Sequence, residues 1–244
     1  MKLTLYISAL ILCVSFFTSC KKDKELEETP KEEDIKLNKP HLNQNLKYGT
    51  VADIDGNKYA TIQIGTQTWI AENLKTSRYN DGTAIPNVTN ETQWNNLSSG
   101  AYAVYDNNTV HDDTYGKLYN WYAVNTGKLC PKGWHVPTLA EWEALRDYLG
   151  WDSAGGKLKS TSSLWKAPNT GATNSSGFSA IPGGKRAYGI YMMMNDYSFF
   201  WSSESSSIQK SYYAFAVYDY EGFVLGDFAD SEKNYGHSCR CLKD

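Results

Sequence analysis

The sequence predicts an α+β domain in which small antiparallel sheets carry one or two helices. Aromatic residues make up 14% of the chain, including 18 Tyr and 8 Trp, beside 19 Gly; short strands, turns and a ring-filled core have this composition, and a helical bundle does not. One helix is clearly written, over residues 139–149. The last third of the chain alternates strand-like runs with turn residues.

The helix follows from its ends. Thr138 and Glu141 form a capping box, in which the hydroxyl accepts from the Glu141 amide and the carboxylate reaches back to the Thr138 amide. Pro137 precedes the cap, Leu139, Trp142 and Leu145 follow at helical spacing, and Gly150 stops the run. A shorter helix is expected around 153–159.

Residues 1–20 have the form of an export segment: Met1-Lys2-Leu3, an apolar run over 5–17, then Phe17-Thr18-Ser19-Cys20. This resembles a bacterial lipoprotein signal, with Phe17 where Leu is usual, and implies cleavage before Cys20 and acylation of that residue, palmitate included. The expected partner is then a lipid bilayer, reached without a spanning helix, and the expected location is the outer membrane, on its periplasmic or exposed face. Mean hydropathy is −0.53, and nothing beyond the first twenty residues is apolar enough to span. Residues 21–46 read as a charged tether, with Lys21-Lys22-Asp23-Lys24-Glu25 and Glu32-Glu33-Asp34 and almost nothing apolar to bury. Acidic residues so close to Cys20 resemble the surface-export signals of Bacteroidota lipoproteins. The remainder, 47–244, is about one domain. Net charge is −3 with no basic cluster past the tether, which argues against nucleic acid as a partner.

Within the domain, Thr50-Val51-Ala52-Asp53-Ile54 and 58–64 flank Asp55-Gly56-Asn57 as a hairpin, and Thr68-Trp69-Ile70 continues it past Gly65. Asp53, Asp55 and Asn57 alternate like a calcium loop but lack its twelfth-position Glu and flanking helices, so a turn is expected. A short helix is expected over 91–96 and a strand over 101–105; 116–124 fits strand or helix. Residues 169–184 read as loop. Strands are expected over 197–204, 212–218, 223–228 and 237–242, with Asp219-Tyr220-Glu221-Gly222 turning the middle pair.

Several stretches together resemble one family: Ile64-Gly65-x-Gln67-x-Trp69-Ile70-Ala71-Glu72-Asn73-Leu74, Gly116-Lys117-Leu118-Tyr119-Asn120-Trp121, Cys130-Pro131-x-Gly133-Trp134-His135-Val136-Pro137-Thr138-x-x-Glu141-Trp142, Gly177-Phe178-Ser179-Ala180-x-Pro182-Gly183-Gly184, Phe200-Trp201-Ser202-Ser203-Glu204 and Gly236-His237-Ser238-x-Arg240-Cys241. The chain is similar over about 48–244 to the Fibrobacter succinogenes major paralogous domain. The resemblance implies a C-type lectin-like fold related to sulfatase-modifying proteins, with long loops on small sheets. It also implies a Cys130–Cys241 disulfide, with Cys239 as the alternative partner on the same strand face.

Neither activity associated with those relatives transfers. The Glu/Gln-Pro-Asn/Asp loop and Trp-Asn-Asp strand of calcium-dependent lectins do not occur, and Asn195-Asp196 reads as a turn. Formylglycine generation needs a redox cysteine pair, which Cys239-Arg240-Cys241 does not supply once one thiol is committed. His41, His111, His135 and His237 lack metal-ligand spacing, and no Gly-x-Ser-x-Gly elbow presents a nucleophile. No cofactor or metal is expected. The leading expectation is a noncatalytic binding or adhesion module for glycan or peptide, with Trp201, Glu204, Tyr212 and Tyr218 as candidate contacts on the aromatic strands. The alternatives are an enzyme using the loop carboxylates Glu204, Asp219 and Asp227, or a purely structural surface component.

Overall fold

The chain begins its folded course earlier than its composition suggests. The computed structural model describes residues 39–208, 210–223 and 230–244, so the export segment, Cys20 and most of the tether lie outside the described residues. Residues 39–46, expected in the tether, instead pack onto the domain. Leu42 is buried against Ala60 and Ala71, Asn43 Nδ2 donates to Asn174 O at 3.0 Å, and Lys39 pairs with the buried Glu72. One apolar residue and a few hydrogen bonds suffice to dock this polar segment.

The first sheet starts with β1 (Gly49–Ala52), β2 (Lys58–Ile64) and β3 (Gln67–Ile70), an antiparallel meander. Its first turn places Gly56 at φ +83°. The Asp53 carboxylate fixes it, accepting from the Asp55 and Asn57 amides at 2.9 Å each and from the Tyr59 hydroxyl at 2.6 Å. Then come α1 (Glu91–Asn95), β4 (Tyr102–Ala103), a 3-10 turn (Tyr105–Asn107), α2 (Val110–Tyr115), β5 (Leu118–Tyr119) and α3 (Trp121–Val124). The strand expected over 101–105 is thus only two residues long, because Asp106 and Asn107 turn the chain with φ near +54°. The ambiguous stretch 116–124 is both things in succession. Its strand gives way to helix at Asn120, whose side chain caps α3 by accepting from the Ala123 amide.

After β6 (Trp134–His135), α4 (Leu139–Leu149) has the expected limits, with both halves of the capping box formed and Gly150 at φ +88°. The shorter α5 (Ala154–Leu158) follows. The second sheet is built from β7 (Gly183–Ala187), β8 (Ile190–Met194), β9 (Tyr197–Ser205), β10 (Lys210–Val217) and β11 (Asp230–Glu232), in the order β11-β10-β9-β7-β8. The hairpin β7–β8 was not expected. Residues 224–229, most of the expected strand 223–228, lie outside the described residues. Finally β12 (Leu242–Lys243) enters the first sheet between β3 and β6, giving the order β1-β2-β3-β12-β6.

Two ring-rich cores result. On one side α4 presents Trp142, Leu145 and Leu149 to Trp69, Phe178, Phe200 and the small residues Ala214 and Ala216. Trp142 lies tilted 4.7 Å from Trp69 and stacks on Phe200 at 5.7 Å. On the other, Tyr59, Ile70, Leu74, Tyr119, Trp121 and Trp201 surround the cysteines.

The expected strand over 237–242 is not continuous. Residues 236–241 form a seam that changes partner at almost every step. Gly236 exchanges both backbone bonds with Arg186, and His237 does so with Tyr119. Ser238 donates to Phe199 O and accepts from the Trp201 amide. Cys239 O and Cys241 O then accept from Leu74 and Ile70 at 3.0 and 2.9 Å. Arg240, fully buried, donates from its guanidinium to Asn73 Oδ1, Ile70 O, Phe178 O and Ser179 O. Burial lowers its pKa to about 9.

Candidate binding surface

Strands β9 and β10 divide their side chains by parity. Ser198, Phe200 and Ser202, with Ala214 and Ala216, face α4. The other face carries Tyr197, Phe199 and Trp201 opposite Phe215 and Tyr213, in the register Phe199↔Phe215 and Trp201↔Tyr213. These rings form a field. Tyr197 stacks on Phe199 at 5.3 Å with 9° between planes, Phe215 lies 5.8 Å from Phe199, and Tyr213 lies 5.7 Å from Phe199. His237 fills the seam side, 4.3 Å from Trp201 and 5.0 Å from Tyr213. Its full burial pushes its pKa well below the usual value, so the ring is neutral. The field is graded in depth, from Trp201 and Phe199 in the core to half-exposed Tyr197, Tyr213 and Phe215.

At the border of the field, Lys185 of β7 holds its ammonium 4.8 Å from the Phe199 centroid and 5.9 Å from that of Tyr235. Burial lowers its pKa, and no carboxylate among the described residues pairs with it. Tyr188, 67% exposed, stands edge-on to Tyr235 at 5.1 Å. Lys233 places its ammonium 4.2 Å from the Trp121 centroid.

The expected contacts fall differently. Trp201 is fully buried, its indole N–H donating to Tyr119 O at 2.7 Å, so it floors the field and cannot touch a ligand. Tyr212 and Tyr218 form no platform. The register shifts between Ser211 and Tyr213, and Tyr218 packs toward the α4 core with Lys166 4.7 Å above its ring. The rings of β10 that join the field are Tyr213 and Phe215. The signal was the alternation Tyr213-Ala214-Phe215-Ala216, in which small residues mark the face crowded by Trp142. Glu204 is exposed, and its Oε2 accepts from the Leu139 amide at 3.0 Å, an otherwise open donor in the first turn of α4. Asp219 lies exposed in the turn after β10, and no hydrogen bond or ion pair joins it to Glu204. Asp227 is outside the described residues.

Other polar groups are engaged by the fold. Asp55 accepts from the Ser77 amide and hydroxyl, the Thr76 hydroxyl and Arg78. Burial opposes its charge, but these bonds pull its pKa to about 2. His135 lies between two carboxylates, Nδ1 2.7 Å from Asp244 Oδ1 and Nε2 3.0 Å from Glu141 Oε1. Partial burial disfavours the imidazolium, and the two hydrogen-bonded carboxylates outweigh it, so the pKa is raised. With both ring nitrogens taken, His135 is not placed to deprotonate Ser203, which lines the same cavity of about 120 Å³ beside Cys130. Cys130 is joined to Cys241 with Cα atoms 6.0 Å apart. Cys239 is free and buried, and burial raises its pKa, which makes it a poor nucleophile.

The arrangement is that of an α+β domain of two five-stranded sheets, antiparallel except where β7 pairs with β9, whose most distinctive open feature is a ring surface. The chain belongs to the family described as the Fibrobacter succinogenes major domain, whose profile matches residues 62–243. No curated protein and no solved structure matches the chain.

Proposed function

We propose that this chain is a noncatalytic binding or adhesion module, held at the outer membrane by acylated Cys20, which recognises a glycan or a peptide through the outer face of β9 and β10. The observation that carries this reading is the field of half-exposed rings at Tyr197, Tyr213 and Phe215 with Lys185 at its border. Apolar rings left partly in water on one contiguous sheet face are a feature of ligand-contacting surfaces. The engagement of Asp53, Asp55, Glu141, Glu204 and His135 in hydrogen bonds of the fold favours binding over catalysis. The anchor rests on the pattern of residues 1–20. We also read the architecture as C-type lectin-like. The first and last strands sharing one sheet, and a disulfide reaching the closing segment, support that kinship.

The test is binding of the full chain to glycan and peptide arrays, with and without calcium, beside a Phe215→Ala variant. Binding that the variant loses supports the reading, and silence on both arrays removes it. For the anchor, a lipid-precursor label is expected on the native chain and not on Cys20→Ala; equal labelling refutes acylation.

A further inference from the structure

We propose that the ring field takes an acidic glycan, a chain of pyranose units bearing carboxylates, and that Lys185 is the residue that selects for the acid. This rests on the binding-module reading above and names its site and ligand class.

Charge supplies the first part of the argument. An ammonium drawn partly out of water is stabilised by a carboxylate or by carbonyl dipoles. Lys159 shows the second arrangement in this molecule, donating to Thr170 O at 2.8 Å and Tyr220 O at 2.9 Å. Lys39, Lys117 and Lys128 show the first, paired with Glu72, Asp112 and Asp81. Lys185 has neither among the described residues; its neighbours are the faces of Phe199 and Tyr235 and the neutral His237. Ring faces attract a cation but leave its hydrogen-bonding capacity open. Lys233 repeats the pattern over Trp121.

Shape supplies the second part. The C–H faces of a pyranose stack on aromatic rings, and its hydroxyls need polar atoms at the rim. The field offers the rings of Phe215, Tyr197 and Tyr213, and the phenol groups of Tyr188 and Tyr235 lie beside Lys185's aromatic neighbours. A peptide in extended form adds to a sheet edge through its backbone. The edges here are β11 and β8, whereas the field lies on the interior strands β9 and β10. An acidic sugar therefore fits both the rings and the ammonium.

The experiment measures calorimetric affinity of the full chain for a galacturonate oligosaccharide, for its carboxyl-reduced neutral counterpart of equal length, and for poly-glutamate. Native protein, Lys185→Met, Lys185→Arg and Phe215→Ala are compared, each first shown to melt cooperatively. Native protein is expected to bind the acidic oligosaccharide roughly tenfold more tightly than the neutral one, the scale of one charge-assisted contact. Lys185→Met should erase that difference, Lys185→Arg should keep it, and Phe215→Ala should weaken both sugars. Equal affinity for the two sugars, or an unchanged preference in Lys185→Met, overturns acid selection while leaving a binding module in place. Binding of poly-glutamate alone overturns the glycan assignment. Failure to bind any of the three overturns the proposal, and the array result then decides the broader reading on its own.

Discussion

Replacing both Cys130 and Cys241 by Ala should remove the largest single covalent restraint on the domain. The bridge joins residues 111 apart in sequence. In the chain-entropy treatment, a closed loop of that length lowers the entropy of the unfolded ensemble enough to stabilise the fold by about 5 kcal/mol at 25 °C. Domains of this size are stable by roughly 5–15 kcal/mol in total, so the loss is a large share of the whole. With an m-value of about 2 kcal/mol per molar urea, the unfolding midpoint should fall by about 2.5 M. The assay is urea unfolding followed by Trp fluorescence, which Trp69, Trp142 and Trp201 report from the two cores. The double variant leaves Cys239 as the one thiol of the folded part, so no alternative bridge within it can form. A midpoint shift of less than about 0.5 M would refute the reasoning, because the bridge would then hold together a chain already ordered when unfolded. Peptide mapping without reduction provides a separate check, since a Cys130–Cys239 product would contradict the pairing itself.

Three further outcomes follow from named contacts. The raised pKa of His135 means its pairing with Asp244 and Glu141 stabilises the fold fully below the ordinary imidazole pKa and loses that effect as pH rises through the folded value. The melting temperature of native protein should therefore exceed that of His135→Gln most at about pH 5.5 and least at about pH 9, and a gap that widens with pH contradicts the imidazolium. Thr138→Ala removes the acceptor for the Glu141 amide, and should lower stability by about 1 kcal/mol in urea titration; no change would mean the cap is dispensable. Arg240→Met leaves Asn73 Oδ1, Ile70 O, Phe178 O and Ser179 O without their buried donor, and a loss of about 3 kcal/mol or more is expected, whereas a neutral result would show that water replaces the guanidinium.

What could be read from the sequence was what local chemistry decides. The α4 helix was legible because Thr138, Glu141 and Gly150 act within a few residues of one another. The hairpin of β1 and β2 was legible for the same reason, through Asp53 and Gly56. The β7–β8 hairpin was not. Gly183-Gly184 resembles loop, and Gly184 is there for another reason: it takes φ +63°, where a side chain would press on Met192 O. The strand expected over 237–242 is a seam instead, because strand pattern reports a run of extended residues and says nothing of where their hydrogen bonds go. The ring contacts were placed one residue out of phase on β10, since which parity faces the core depends on Trp142, far away in sequence.

The seam also orders events in time. Its hydrogen-bond partners at Ile70, Leu74, Tyr119, Arg186, Phe199 and Trp201 all precede it in the chain, so synthesis delivers every surface it joins before the segment that joins them. A ribosome-bound chain halted before residue 236 would lack β12, leaving β3 and β6 unjoined, with those backbone groups open and Arg240 missing from its cage of carbonyls. The backbone bonds that tie the two sheets together through the seam therefore wait for residues 236–241.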